Sequence, residues 1–262
     1  MAILEAKWFC SAKLRNKYLP AEERGDWKNI IKVCTQIARE VNTLHNNELI
    51  HHCLSYKNVY IDTVEWTAFL RTDGDYVTHK SIRPAILPTP DFVAPEIFKT
   101  RHLRFDDPNR AQTSITTNRH SLAVLIYMLL LNRHPLIGGR ILDSDPAKNE
   151  ELSLGEKALF IEHPTDTSNR PKLEVLSPIE LPQADIWKLP YTICGPYLKM
   201  LFERAFIDGL HNPVARPSAD EWIVALELTR GLIQECYNPK CIHKYYVADI
   251  DSNPTCPFCD LK

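Results

Sequence analysis

The sequence of 262 residues is poor in glycine, with 8 glycines against 19 prolines. It has no G-x-G-x-x-G or G-x-x-x-x-G-K pattern, so neither common glycine-rich phosphate-binding loop is encoded. The longest apolar run, residues 122–131, is half as long as the ~20 residues that a membrane-spanning helix needs. The N-terminus also lacks the charged and then apolar layout of a signal peptide. These absences predict a cytoplasmic protein.

An excess of charge of either sign is absent as well. Lys and Arg number 31 and Asp and Glu 33, which gives a formal net charge of -2. A nucleic-acid or membrane-surface protein usually carries a clear basic excess. We therefore expect neither nucleic acid nor membrane as a partner.

Cysteine is present but unevenly spread. Four of the eight cysteines are scattered, at Cys10, Cys34, Cys53 and Cys194. The other four crowd the C-terminus with one histidine: Cys236, Cys241, His243, Cys256 and Cys259. A structural zinc site takes four such ligands, and Cys256-Pro-Phe-Cys259 is a short turn that presents two thiolates to one ion. The pattern predicts a zinc-binding tail, residues 236–262, appended to a reduced domain.

The rest of the chain has mainly helical signals. Helix-period patterns cover residues 26–46, 118–131, 196–208 and the segment that begins at Pro217. Asp26 is a predicted N-cap, and Ser218 with Glu221 forms a capping-box pattern. Residues 59–62 and 66–70 are the best strand candidates. Residues 71–93 and the polar, proline-rich segment 141–190 are predicted as a loop and a long, partly ordered insertion. The expected fold class is therefore mainly α with a few short strands.

Several motifs occur in an order that resembles protein kinases. The segment 49–59, LIHHCLSYKNV, resembles the kinase catalytic loop, with His51 on its histidine and Asn58 on its metal-binding asparagine. Asp73 falls where the magnesium-binding aspartate is expected. Ala94-Pro95-Glu96 resembles the A-P-E that closes the activation segment, and Arg216 resembles the arginine that pairs with its glutamate. The resemblance spans roughly residues 10–235 and implies a kinase C-lobe, with residues 1–25 as a hinge-like lead-in.

Further phrases resemble one bacterial kinase-like family. They are RHSLAVLI at 119–126, RHPL at 133–136 and IEHP at 161–164. Members of that family are found with tellurite-resistance-type von Willebrand proteins and a metal-dependent phosphatase, and they carry a cysteine-rich tail. The resemblance implies protein partners in signalling or stress response, and Cys236, His243, Cys256 and Cys259 as zinc ligands in a small zinc-ribbon-like tail. Cys241 is the alternate ligand, because Cys236-x₄-Cys241 is also a feasible first knuckle.

The parts that transfer phosphate are missing or altered. A kinase needs a phosphate loop and a lysine from its N-lobe, two bound metal ions and a catalytic-loop aspartate. Only about fifty residues precede His51, too few for an N-lobe, and Cys53 stands at the aspartate position. Asn118 replaces the aspartate that usually braces the loop. Asn58 and Asp73 leave weak Mg-ATP binding open.

Three functions follow from these residues. The leading hypothesis is a pseudokinase C-lobe that acts as a binding or scaffold module through residues 89–99, the insertion and the zinc tail. The alternative is a Ser/Thr-type kinase C-lobe whose N-lobe comes from another chain or is absent from this sequence. Thiol chemistry at Cys53, beside His51 and His52, is a third.

Overall fold

The computed structural model describes residues 3–79, 88–104, 106–171, 190–241, 243–249 and 254–259. These residues form seven α-helices and small sheets, and 48% of the structure is helical. The helices are α1 Ala12–Tyr18, α2 Trp27–Asn46, α3 Pro95–Thr100, α4 Ile115–Leu131, α5 Pro146–Leu154, α6 Gly195–Glu203 and α7 Ala219–Gly231. The strands are β1 Ile3–Glu5, β2 Leu49–His51, β3 Val59–Asp62, β4 Thr67–Leu70, β5 Val77–His79, β6 Ile233–Glu235 and β7 Tyr245–Val247. The described structure is thus mixed α/β with more helix than sheet, which agrees roughly with the predicted mainly α class.

The strands pair in three small antiparallel sheets, ordered β1-β3-β4, β2-β5 and β6-β7. In the first sheet Leu4 pairs with Ile61, which in turn pairs with Ala68. Ile61 and Ala68 are buried, whereas Phe69 on the opposite face is exposed. This alternation is the pattern of a sheet that covers the core with one face only.

Helix α4 lies at the centre of the core. All side chains from Leu122 to Leu131 are buried except that of Met128, which is partly buried. Helix α2 packs against α4, α7 and β4 with its apolar face. A helix that is apolar on all sides has to be covered on all sides, and the surrounding elements provide that cover.

Capping residues decide where the two long helices begin. Asp26 and Asn29 form a reciprocal capping box at the start of α2, so the predicted N-cap is confirmed. Ser114 and Thr117 form a second capping box, and α4 therefore begins at Ile115, ahead of the predicted residue 118. Helix α6 ends at Glu203 and continues as a π-helical turn, Arg204–Asp208, so the predicted helix 196–208 is a composite.

The segment 141–190 contains more regular structure than its sequence indicated. Helix α5 lies within it and begins at Pro146 behind Asp145, whose side chain accepts a hydrogen bond from the Ala147 N–H. A short 3-10 turn, Thr167–Asn169, follows. Residues 172–189 of the predicted insertion, and residues 80–87 of the predicted loop, lie outside the described part of the chain.

The C-terminal tail is joined to the main core through β7. The side chain of Val247 is fully buried in the same cluster as α2 and α7. It lies against Gly195, where the φ of +70° suits glycine and an added Cβ would meet Val247 Cγ1 at 2.6 Å. In the described ranges no helix has both the length and the apolar character that crossing a membrane requires.

Candidate functional site

Four cysteines of the tail converge on one point. The Sγ atoms of Cys236, Cys241, Cys256 and Cys259 all lie within 4.8 Å of one another. Cys236 Sγ is 3.4 Å from Cys259 Sγ, and Cys241 Sγ is 3.9 Å from Cys256 Sγ. Zinc–sulfur bonds of ~2.3 Å in a tetrahedron place sulfur atoms ~3.8 Å apart. The four thiols therefore fit a tetrahedral metal ion such as zinc, with no position left open for water.

Local backbone hydrogen bonds hold the first pair of cysteines. Cys236 directly follows β6, and its N–H donates to the carbonyl of Lys244 at 2.7 Å. The Cys241 N–H donates to the carbonyl of Asn238 at 2.9 Å, which closes a tight turn between the two cysteines. The second pair lies on the short Cys256–Cys259 turn. The arrangement is that of two knuckles facing one ion.

His243 is not part of this group. Its ring stacks on Phe258 with ring centroids 3.9 Å apart and an interplanar angle of 20°. Burial, and then the positive charge of Arg15, lower the pKa of His243. The ligand set implied by the family resemblance, with His243, is thus not the set that the structure assembles. Cys241, the alternate, takes its place because the 238–241 turn directs its thiol inward.

The thiols need a cation to become thiolates. Burial raises the pKa of Cys256 to about 12 in the metal-free chain. A bound zinc ion reverses this, because it stabilises the thiolate far more than burial destabilises it. When bound, the metal supplies a cross-link between the two knuckles. The tail residues supply its four ligands.

The loop that follows β2 is fixed by Asn118 of α4. The Asn118 Oδ1 accepts from the His51 N–H at 2.9 Å, and its Nδ2 donates to the His51 carbonyl at 2.8 Å. The His51 Nε2 donates to the carbonyl of Arg71 at 2.8 Å, and its Nδ1 accepts from the Cys53 N–H at 3.2 Å. Burial lowers the pKa of His51 to about 4, so the ring is neutral. His51 is a structural bridge here.

Cys53 is enclosed by hydroxyl groups. The side chain is buried, and its Sγ lies 3.6 Å from Thr89 Oγ1. The Thr89 hydroxyl donates to Ser55 Oγ at 3.1 Å, so the Cys53 S–H is the donor toward Thr89. A thiol enclosed in this way and used as a hydrogen-bond donor is not placed for nucleophilic chemistry.

Asn58 and Asp73 are held by different partners. The buried Asn58 amide donates to the Cys53 carbonyl at 2.9 Å. The Asp73 side chain is 70% exposed, and its carboxylate accepts from Arg71 at 2.9 and 3.3 Å. Arg71 lowers the pKa of Asp73 through this hydrogen bond. A cationic side chain therefore pairs with the carboxylate at the position where weak magnesium binding was left open.

Glu96 and Arg216 form a two-pronged ion pair. Arg216 Nη1 and Nη2 donate to Glu96 Oε1 and Oε2, each at 2.8 Å. The Arg216 side chain is 0% exposed and also donates to the carbonyls of Gly209, Leu210 and Thr116. The pair joins α3 to the segment before α7, as the motif order predicts.

Two side-chain contacts at this loop were not predicted from the sequence. Arg71 pairs with Asp73, and the imidazole of His52 contacts the hydroxyls of Thr113 and Thr78 with its two ring nitrogens. The sequence contained one signal for the first contact, since Asp73 lies two residues after Arg71. The second joins residues far apart in sequence, which no local pattern reveals.

In comparisons with known proteins, no family model and no curated protein matches this chain.

Proposed function

We propose that this chain is a protein-kinase-like C-lobe that has lost phosphoryl transfer and serves as a protein-binding scaffold in bacterial signalling or stress response. The observation that carries the proposal is the use of the loop's polar groups within the fold. Asn58 bonds the backbone of Cys53, Asp73 bonds Arg71, and Cys53 bonds Thr89. Polar groups engaged in this way stabilise the loop. Few of their hydrogen-bonding atoms remain available to bind a metal ion with its phosphate.

The chemistry of phosphoryl transfer supports this interpretation. Transfer requires carboxylates that bind magnesium and a base that orients the hydroxyl nucleophile. An unperturbed thiol titrates about four pH units above an aspartate, so cysteine is a poor substitute for that base at neutral pH. The contacts that stabilise the lobe, Asn118 with His51 and Glu96 with Arg216, are intact. A lobe selected as a scaffold would keep these stabilising contacts and lose the groups that transfer phosphate.

The four-cysteine centre fits a scaffold role as well. A closed tetrahedral set of thiolates makes zinc structural, because no coordination position is left for substrate or water. Zinc bound by Cys236, Cys241, Cys256 and Cys259 would fix the tail as a rigid surface element. The tail, residues 89–99 and the segment 141–190 are then the surfaces offered to protein partners.

The test is a titration of the zinc-loaded chain with a fluorescent ATP analogue, with and without magnesium. We expect no magnesium-dependent saturation up to millimolar nucleotide. Arg71→Ala is the informative variant, since it frees the Asp73 carboxylate without touching the core. Micromolar, magnesium-dependent binding by the unmodified chain would overturn the scaffold proposal.

That result would favour the alternative, a Ser/Thr-type kinase C-lobe completed by an N-lobe from another chain. One observation favours this alternative: the outer face of the β1-β3-β4 sheet carries three apolar side chains, beside the polar side chains of Glu5, Asp62 and Thr67. Ile3 and Phe69 are exposed there, and Tyr60 stacks on Phe69 with ring centroids 5.5 Å apart. Cys53→Asp with a separately supplied N-lobe should restore transfer if the alternative is right. Phe69→Ser should then weaken the association.

A further inference from the structure

A cleft of about 820 Å³ opens between the main body and the tail. Helix α1, the first turn of α2, the end of α4 and the His243-Lys244 turn surround it. Its floor includes Trp27, Trp66 and Leu129, which lie beside polar side chains. Small-molecule sites commonly have volumes of ~300–1,000 Å³ and apolar walls with a few polar groups. The cleft has a volume in this range but a more polar lining, and it lies outside the loop and the metal centre described above.

The polar groups of the cleft carry an uneven charge. Arg15, Arg24 and Lys244 line it, against the carboxylates of Glu22 and Asp26. The Asp26 carboxylate is engaged at the start of α2, where it accepts from the Asn29 N–H. Within the described ranges no carboxylate lies within 4.0 Å of the three cationic groups. The three cations therefore form no ion pair in the cleft, and they exceed the two carboxylates of its lining by one unit of charge.

The two guanidinium groups are held in place by uncharged acceptors. Arg15 Nη2 donates to Asn132 Oδ1 at 3.1 Å. Arg24 donates to the carbonyls of Leu19 and Asn16 at 2.9 and 3.0 Å. Each guanidinium has five N–H donors in a rigid fork, so both retain donors for a further acceptor. Burial, and then the positive charge of the nearby Arg24, lower the pKa of Arg15.

The first turn of α2 forms one wall of the cleft. The Asp26 carboxylate caps this turn by accepting from the Asn29 N–H, so it offsets the positive end of the helix dipole. The cleft thus combines two arginines held by uncharged acceptors with the side chains of Trp27 and Trp66.

We propose that this cleft binds a small organic anion, a phosphate or carboxylate attached to a flat apolar group. The anionic head would lie between Arg15, Arg24 and Lys244, where charge-assisted hydrogen bonds are available. The apolar part would lie on the floor against Trp27 and Trp66. The site would serve recognition or regulation, and it does not depend on the kinase-like interpretation.

The metal centre controls one wall of this cleft. His243 and Lys244 lie two and three residues after Cys241, and the Lys244 carbonyl accepts from the Cys236 N–H at 2.7 Å. His243 stacks on Phe258, which stands between Cys256 and Cys259. Metal ligands thus border this turn on both sides. Removal of the metal should therefore displace Lys244 and weaken ligand binding.

The test is isothermal titration calorimetry of the full zinc-loaded chain with 1-naphthyl phosphate. Inorganic phosphate, 1-naphthol and 1-naphthoate are the comparison ligands. We expect 1-naphthyl phosphate or 1-naphthoate to bind at least about tenfold more tightly than phosphate or naphthol. Only these two ligands have both an anionic group for the cationic side chains and a flat apolar group for the floor of the cleft. The tighter of the two naphthyl anions identifies the head group. No heat of binding at millimolar concentrations of either anion would overturn the proposal.

Three variants assign the binding to the cleft. Lys244 has a φ of +59°, a conformation that asparagine adopts more readily than lysine, so Lys244→Asn removes charge without loss of stability. We expect Lys244→Asn and Arg24→Gln each to weaken binding by about fivefold or more. Lys17→Gln, on α1 but outside the cleft, is the matched control. Equal affinities in all three variants would contradict the assignment.

The zinc-free chain tests the coupling. After removal of the metal with a chelator, the affinity for 1-naphthyl phosphate should fall by about fivefold or more, and readdition of zinc should restore it. Unchanged affinity in the folded, metal-free chain would refute the coupling. The far-UV circular dichroism spectrum of the metal-free chain shows whether that chain is still folded.

Discussion

The ion pair between Glu96 and Arg216 offers a quantitative test of how this fold is held together. The Glu96→Gln substitution keeps the shape of the side chain but removes the charge that neutralises a fully buried guanidinium. Removal of one partner of a buried ion pair costs ~3–5 kcal/mol. Glu96 is 27% exposed, so water screens part of the interaction, and we expect a loss of about 2–3 kcal/mol in the free energy of unfolding.

The Arg216→Met substitution should cost more. It removes the donor for Glu96 and leaves the carbonyls of Gly209, Leu210 and Thr116 without their partner. Each unsatisfied buried acceptor costs ~1–3 kcal/mol, so a total of about 4–5 kcal/mol is expected. The double variant should lose less than the sum of the two single losses, because the pair is lost only once.

Urea denaturation followed by tryptophan fluorescence measures these losses. Glu151→Gln is the matched control, because Glu151 forms an ion pair of similar length with Arg101 on the surface, at 2.7 Å. An exposed pair contributes at most ~1 kcal/mol. If Glu96→Gln were no more destabilising than Glu151→Gln, or if the double variant were additive, the structural role assigned to this pair would be refuted.

Three further predictions concern other parts of the chain. Native mass spectrometry should find one zinc ion per chain, which Cys241→Ser loses and His243→Gln retains; the reverse result would restore the ligand set with His243. Burial lowers the pKa of His120 well below its usual range, so the unfolded chain alone takes up a proton there and stability falls as the pH drops below ~6.5. In urea titrations His120→Leu should therefore lessen the loss between pH 6.5 and 5 by up to about 1.4 kcal/mol per pH unit, and an unchanged slope would argue against a neutral buried ring. Asn118→Leu should lower the free energy of unfolding by about 2–4 kcal/mol, since both backbone groups of His51 lose their partner, and a loss below 0.5 kcal/mol would contradict the bracing role.

The long helices could be predicted because their sequences carry their own boundary signals. Asp26 and Ser218 cap α2 and α7 as expected, and the apolar period fixes which face is buried. Helix α5 was missed because it is largely polar and has no clear apolar face. Its only local signals were Asp145 and Pro146, a cap followed by a proline in the first turn.

The short strands and the metal ligands were harder to predict for a different reason. Strands β1, β5, β6 and β7 have three residues each, too few for an alternation to be recognised. The choice between Cys241 and His243 depends on the direction in which a turn points each side chain. Sequence spacing permits both, and only the three-dimensional path of residues 238–245 distinguishes them.

The burial of Val247 beside Gly195 has a consequence for how this molecule comes apart. Because the Val247 side chain packs into the main body, strands β6 and β7 belong to the same cooperative unit as that body, although the metal ligands lie at its margin. Heat or denaturant should therefore melt tail and body together, so that loss of the metal shifts a single transition and produces no second one. A shortened chain that ended at residue 235 would lack β7. The apolar surface beside Gly195 that Val247 covers would then be exposed to proteases and to association with other chains.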